Sequence, residues 1–505
     1  MKKGKEAIAV FAVFVAASMV FPLVSASFPE IPTATNNFGG TLVVGTNNDE
    51  REPTIEMDAN GNLLVEYVSQ PNVLDSDVLL ASSTDGGNSW NAVTPPWSEM
   101  EGRQFGTKLT YDPSTGVVIG AFSDEITSSS IAFKATDVSD PTTYLHNGYA
   151  NVDVITGTSV TYTVTEDGVH LINLQTTGDS GGYEETCNWL YFSQEDLSFF
   201  GQYYYYDAQS VIGAYTEAEN IEGFTFAGNH YGFVVDALRE ETGIHQPFIK
   251  WTVYEEEPDL EYVHNQFWLE DGDTMARDPD AVGTGNNIYV VYEIFDATFG
   301  DYNIKCKYSN DGGATWGESM VADTSLVDER HPAVYASGGT VFCVYVKQGN
   351  LYLVKSEDGG ATWGEPEQVN DQDGTVVSED GTCDISKGGI VWTDNRNGNK
   401  DIYYAPLPMA LLNIESISGG MGVTATVTNT GTEDATGVAW SIDVSGLVFV
   451  GGHTEGTVDV PAGGEATISS GLVFGIGPGT ITVTVGGTTK TASCFILGPL
   501  VLGVK

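Results

Sequence analysis

Basic residues are scarce in this chain: 20 Lys and Arg stand against 69 Asp and Glu among 505 residues, a formal charge of -49. So acidic a polypeptide repels phosphate backbones and anionic lipid, which excludes nucleic acid as a partner and suits a salty exterior. Cysteine is scarcer still. Cys187, Cys306, Cys343, Cys383 and Cys494 are too few and too scattered to staple a fold of this size, and no Cys or His pair has zinc-ligand spacing. No metal or other cofactor is expected. Packed thiols are the default reading, although Cys306, Cys343 and Cys383 fall in adjacent repeats where one bridge is allowed. The seven histidines make no catalytic pairing with Ser or Cys. Long apolar runs are missing after the first 26 residues. The run at the start, Ala7 to Val20, follows Lys2, Lys3 and Lys5 and precedes Val24-Ser25-Ala26, the order of a secretory signal, and it is short for a membrane span. Residues 1–26 are therefore read as a signal peptide, and the remainder as a secreted or cell-surface protein without a transmembrane span.

Apolar residues, at 41%, and aromatic ones, at 11%, are plentiful enough to bury a large core, which excludes disorder. One octapeptide occurs three times: Ser83-Thr84-Asp85-Gly86-Gly87-Asn88-Ser89-Trp90, Ser309-Asn310-Asp311-Gly312-Gly313-Ala314-Thr315-Trp316 and Ser356-Glu357-Asp358-Gly359-Gly360-Ala361-Thr362-Trp363. An Asp carboxylate accepts backbone N–H bonds just ahead of it, and the glycines take positive φ, so each copy predicts a hairpin turn with a Trp packed back over it. Alternating runs such as Ile304 to Tyr308 and Leu351 to Lys355 lead into the turns. The fold class is therefore all-β.

The octapeptide resembles the Asp box, or bacterial neuraminidase repeat, of sialidases. In that family Ser83, Asp85, Gly87 and Trp90, with Ser309, Asp311, Gly313, Trp316, Ser356, Asp358, Gly360 and Trp363, would be structural clips between the outer strands of propeller blades, on the face away from the active site. Units that share the plan start at Arg51-Glu52-Pro53, Arg277-Asp278-Pro279 and Arg330-His331-Pro332, with 32, 32 and 26 residues from Arg to box Ser. Three box-less units, from Lys108, Ser159 and Ile221, lie between the first and second boxes, and a last one runs from Thr375 to Pro406. That last unit lacks a fourth strand, which Thr41 to Gly45 is placed to supply. The expectation is a closed propeller over residues 27–407, of seven blades with six as the alternative.

After Pro408 the composition turns to Gly, Thr, Val and Ala. Asn429-Thr430-Gly431-Thr432 and Pro461-Ala462-Gly463-Gly464 resemble turns of small immunoglobulin-like adhesion modules, so 408–505 is read as a separate β-sandwich, a spacer or adhesive unit.

Of six arginines after the signal, Arg51, Arg277 and Arg330 open the expected innermost strands, where equivalent positions converge on the ring axis. Together they would bind a carboxylate or sulfate; alternatively each pairs with nearby acids such as Glu50, Asp278, Asp328 and Glu329. Arg51-Glu52-Pro53 also resembles the sialidase Arg-Ile-Pro motif. The resemblance implies a catalytic Asp at Asp75 or Asp77 and a Tyr nucleophile activated by a Glu, for which Glu270 and Tyr403 are candidates. Tyr203 to Tyr206 offers faces to sugar rings or, more simply, packs in the core. Three functions fit: a propeller binding a glycan or cell-surface protein without catalysis, an exo-acting sialidase-type glycoside hydrolase, and a structural surface-layer component.

Overall fold

The computed structural model describes residues 38–505 except 94, 96, 98–101, 114, 127–128, 141–142, 151–153, 163–168, 180–181, 194, 205–217, 228–229, 240–241, 255–261 and 324–325, and only the backbone for most of 149–219. The signal segment, Tyr205 and Tyr206, and the side chains of Cys187, Tyr203 and Tyr204 lie outside these residues. The described elements are all strands.

A short strand, β1 (Thr41–Val44), comes first. The first sheet is β2 (Asp49–Met57), β3 (Leu63–Asn72), β4 (Asp75–Ser83) and β5 (Asn91–Val93). The second is β6 (Gln104–Asp112), β7 (Val117–Asp124), β8 (Ser129–Ala135) and β9 (Leu145–Ala150). The third is β10 (Val154–Tyr162), β11 (Val169–Asp179), β12 (Gly182–Phe192) and β13 (Phe199–Tyr204). The fourth is β14 (Ala218–Phe226), β15 (His230–Arg239), β16 (Ile244–Tyr254) and β17 (Tyr262–Trp268). The fifth is β18 (Ala276–Thr284), β19 (Asn287–Asp296), β20 (Asp301–Ser309) and β21 (Gly317–Ala322). The sixth is β22 (Glu329–Ser337), β23 (Thr340–Lys347), β24 (Asn350–Ser356) and β25 (Glu367–Gln368). The seventh joins β26 (Cys383–Ser386), β27 (Gly389–Asp394) and β28 (Asp401–Ala405) to β1, with Thr41 opposite Tyr404 and Leu42 opposite Tyr403. All pairings in the seven sheets are antiparallel, as hairpin connections dictate.

Both faces of these sheets are buried. Along β3, Leu64 and Val68 enter a core shared with the second sheet, whereas Leu63, Val65 and Tyr67 enter one shared with the seventh. In β23, Phe342, Val344 and Val346 face the seventh sheet, and Val341, Cys343 and Tyr345 face the fifth. Such strands read as continuous apolar runs because each parity meets a different neighbour. Cys306, Cys343 and Cys383 are free thiols inside these cores, so the bridge that sequence allowed is not formed.

The first strands pack on one another in order: β2 on β6, β6 on β10, β10 on β14, β14 on β18, β18 on β22, β22 on β26, and β26 on β2. They start a few residues earlier than their apolar alternation suggests, at Gln104, Val154 and Ala218 rather than Lys108, Ser159 and Ile221. The difference is a bulge. Register shifts lie between Arg51 and Thr54, Phe105 and Lys108, Ile155 and Gly157, Glu219 and Ile221, Arg277 and Asp280, and Arg330 and Ala333. An extra residue in one strand breaks the period of two that sequence reading follows.

The octapeptides form three matching turns. The first Ser Oγ accepts the N–H of Gly87, Gly313 or Gly360 at 2.9, 2.8 and 2.9 Å. The Asp accepts the N–H of Ser89, Thr315 or Thr362 at 2.9, 2.8 and 2.8 Å, and that residue's hydroxyl at 2.6 Å in every case. Each turn also clips to the preceding sheet. A Cβ on Gly87 would stand 2.1 Å from the Tyr404 ring of the seventh sheet, and one on Gly313 would stand 2.5 Å from Trp251 of the fourth. Both positions also have left-handed φ, so two constraints demand glycine there.

Beyond the seventh sheet, β29 (Leu412–Gly419), β30 (Val423–Asn429) and β33 (Glu465–Ser469) form a three-stranded sheet. Strands β31 (Ala435–Val450), β32 (His453–Val460), β34 (Phe474–Val485), β35 (Thr488–Gly498) and β36 (Leu500–Leu502) form a five-stranded one in the order β32-β31-β34-β35-β36. One core joins the two sheets, with Ile414, Val427 and Ile468 against Ile442, Ile481 and Ile496. Buried Asn429 ties the connections together: its amide donates to Glu433 O and Val460 O and its carbonyl accepts from the N–H of Leu411 and Gly431. No described helix is long and apolar enough to cross a membrane.

Candidate functional site

Five of the six bulges converge. Glu52, Asn220, Asp278 and His331 have left-handed φ of 51, 45, 51 and 53°, and Gly106 and Gly381 share that conformation. All six line one cavity of about 330 Å³ between the first strands. A left-handed non-Gly residue costs on the order of 1 kcal/mol and persists where its surroundings hold it. Here the holders are carboxylates: Glu52 accepts from Gly106 N, Asp236 from Asp278 N, and Glu293 from His331 N at 2.9 Å.

At the cavity rim His331 Nδ1 lies 2.7 Å from Asp278 Oδ2 and 3.3 Å from Asp380 Oδ1. Burial alone would lower the imidazole, but Asp278, Asp380 and Glu293 outweigh it and raise it to about 9. Asp278 is pushed up to about 6 by its own burial in spite of His331, so at neutral pH the shared proton resides on the imidazole. Asn220 Nδ2 orients the other Asp278 oxygen at 3.0 Å. The ligand atoms of Asp278, His331 and Asp380 lie within 4.8 Å of one another, a spacing that a divalent ion could use. Beside them, however, the guanidiniums of Arg277 and Arg330 already act on Asp380, and a proton on His331 completes the compensation.

Deeper in the cavity Lys108 Nζ sits 2.7 Å from Glu222 Oε2 and 3.6 Å from Asp280 Oδ1. Burial opposes the ammonium, but Glu222, Asp280 and Asp384 hold its pKa above the ordinary lysine value. Glu222 is pushed up to about 7 by burial, with Lys108 opposing. Asp280 and Asp384 also accept N–H bonds from Val334 and Ile55 of the next first strand, at 2.6 and 2.9 Å. Thr54 is 7% exposed, lines the cavity, and its Oγ1 has no hydrogen-bond partner.

The three arginines divide. Arg277 Nε and Arg330 Nε bind opposite oxygens of the fully buried Glu293, at 3.0 and 2.7 Å, and both guanidiniums lie over the Tyr302 ring, at 4.4 and 4.8 Å. They do not line the cavity; Arg51 does, beside Glu52 at 3.6 Å. The carboxylate that engages Arg277 and Arg330 is thus Glu293, which sequence proximity did not suggest. The titratable residues that all three Arg-x-Pro triplets bring to the cavity are their middle ones, Glu52, Asp278 and His331. Their shared place between Arg and Pro was the signal that could have found them, whereas Lys108, Glu222 and Asp380 had none.

Asp75 and Asp77 stand at the start of β4, the third strand of its sheet, opposite Asn72 and Ser69, and neither lines the cavity. Burial and Asp75 raise the Asp77 carboxyl. Glu270 does meet a tyrosine: Tyr292 Oη donates to it at 2.5 Å, but Lys305 also holds it, at 2.7 Å, and Tyr292 is buried in the core between the fourth and fifth sheets. Tyr403 lies under Arg396 at 3.9 Å and accepts from Asn397.

No protein-family model and no curated protein matches the chain. Among solved structures, it is similar to the β-propeller domain of the Trilobed protease from Pyrococcus furiosus, with 11% identity, 70% of this chain and 93% of that one covered, and a TM-score of 0.40. It is similar to the Hadza microbial sialidase Hz136, at 13% identity, 71% and 65% coverage, and a TM-score of 0.39. It is similar also to the GH93 α-L-arabinofuranosidase of Fusarium graminearum, at 10% identity, 73% and 96% coverage, and a TM-score of 0.38. Likeness at this level says nothing of chemistry, which rests on the chain's own residues.

Proposed function

We propose that the chain is an exported propeller that binds a glycan in the cavity between its first strands and does not turn it over. In this reading the seven sheets are blades, residues 27–407 form one ring closed by β1, and residues 408–505 are an immunoglobulin-like module that holds the ring away from a surface. The unbroken cycle of packed first strands supports the ring.

The observation that carries the binding reading is the lining of the cavity. Six carboxylates, of Glu52, Glu222, Asp278, Asp280, Asp380 and Asp384, face four cations, of Arg51, Arg103, Lys108 and the protonated His331. Carboxylates accept paired sugar hydroxyls, and the unpartnered Thr54 Oγ1 offers a further hydrogen bond. An excess of acid favours neutral or amino sugars over acidic ones. Of the three arginines that would hold an acidic sugar, Arg277 and Arg330 are engaged by Glu293, and Arg51 stands beside Glu52. A sialidase-type reading would want an exposed Tyr–Glu pair near an Asp, whereas Tyr292 and Glu270 are buried away from Asp75 and Asp77. One feature favours hydrolysis as a second reading: Glu222, pushed up to about 7, can donate a proton near neutrality. A glycan array with neutral, amino and acidic sugars, run beside fluorogenic glycosides that include a sialoside, separates these. Binding of neutral or amino sugars without release of fluorophore is expected. Turnover would replace the proposal with the hydrolase, and an array with no bound sugar would leave the structural surface-layer role.

A further inference from the structure

Half of the exposed large apolar side chains among the described residues, ten of twenty, fall between 447 and 502. Nine of them lie on strands of the five-stranded sheet, on its outer face, and Leu472 just precedes β34. On β35, Phe495 and Leu497 are 49 and 53% exposed while Ile496 between them is in the core. Ile476 stands opposite Leu497, Leu497 opposite Leu500, and Phe495 opposite Leu502. Val450 stands opposite Phe474, whose ring is 6.4 Å from that of Phe449. The patch is thus continuous across β31, β34, β35 and β36. At about half exposure each, the nine strand side chains present on the order of 700 Å², more than the largest patch of a typical monomer and close to one partner's share of a stable interface.

Charge selects the occupant. The chain carries -49 overall, yet residues 466–505 contain no Asp or Glu and two lysines, Lys490 and Lys505. Two copies of so acidic a chain repel each other least through this face, and an apolar sheet face is complementary to its own two-fold image at the spacing of packed sheets. Anionic lipid would be repelled by the rest of the chain. We propose that this face is the interface of a homodimer, formed by two five-stranded sheets packed face to face.

The test is sedimentation velocity of the full chain over a wide concentration range, with Phe449→Glu/Leu497→Glu beside the native sequence. A reversible dimer is expected, strengthened by salt because screening weakens the remaining repulsion, with at least about a tenfold loss of self-association in the double variant. Should the variant fold poorly, hydrogen exchange on the native chain decides: backbone amides of β35 and β36 should gain protection as concentration rises. A native chain that stays monomeric, a dimer unaffected by the double substitution, or a dimer without concentration-dependent protection there would overturn the proposal. So would a monomer that uses the face to bind phosphatidylcholine vesicles.

Discussion

His331 is the side chain whose contribution depends most plainly on pH. Its folded value, about 9, lies above the ordinary 6.5, so the stabilisation it gains from Asp278 and Asp380 is complete below pH 6.5 and is lost as pH rises through 9. Replacing it by Gln should cost on the order of 2–3 kcal/mol at pH 6, and the difference between the two urea melts should shrink towards zero above pH 9. A difference independent of pH would mean that the imidazole is held neutral. Glu293 acts differently, since its two oxygens serve Arg277, Arg330 and the His331 N–H at once. Glu293→Gln should destabilise the fold by about 3 kcal/mol, measured by denaturant melts, because it leaves two guanidiniums without their shared charge. The arginines were legible in the sequence and Glu293 was not, for it reaches them across 16 and 37 residues of chain.

At the scale of elements, turns were more legible than strand starts. The octapeptide is local: every hydrogen bond within it spans at most four residues, so its conformation follows from its own side chains. Asp85 is held down to about 2 by the Ser89 hydroxyl and N–H and by Ser83. A carboxylate with a depressed pKa stabilises the fold above its ordinary value of 3.8 and loses that effect only as pH falls through about 2. Acid titration should therefore leave the turn intact to about pH 3, read by the fluorescence of Trp90, and Asp85→Ala should abolish that resistance. Gly87→Ala should cost about 2 kcal/mol or more, well above Gly86→Ala, because only Gly87 also faces the Tyr404 ring. The bulges were missed for the opposite reason. Those at Asp278 and His331 are held by N–H bonds to Asp236 and Glu293 of the neighbouring sheet, and their own sequence shows only a break in alternation.

For the whole molecule, β1 is the decisive strand, because it joins the first described residues to the last strand before the three- and five-stranded sheets. Asn399 reinforces that junction by donating to Thr46 O and Asn48 O. Deleting residues 38–45 would leave β28 as an open edge and should lower the thermal midpoint by at least about 5 °C, with proteolysis beginning in the seventh sheet. An unchanged midpoint would mean that the pairing of β1 with β28 contributes nothing. Residues 408–505 have their own buried core and, expressed alone, should unfold in one cooperative transition by circular dichroism; a fragment without a transition would refute the domain boundary.

The sequence by itself determined the all-β class, the three turns and the strong negative charge, since each depends on composition or on interactions a few residues apart. It also placed Thr41 to Gly45 as a candidate partner for the last unit, from a count of strands. Tertiary structure alone decided which side chains reach the cavity. A bulge exchanges the roles of neighbours, so Arg277 and Arg330 turn to Glu293 while Asp278 and His331 turn inward. The acidic cavity that replaced the expected arginine cluster, with Lys108 and Glu222 drawn from different sheets, follows from packing between strands far apart in the chain.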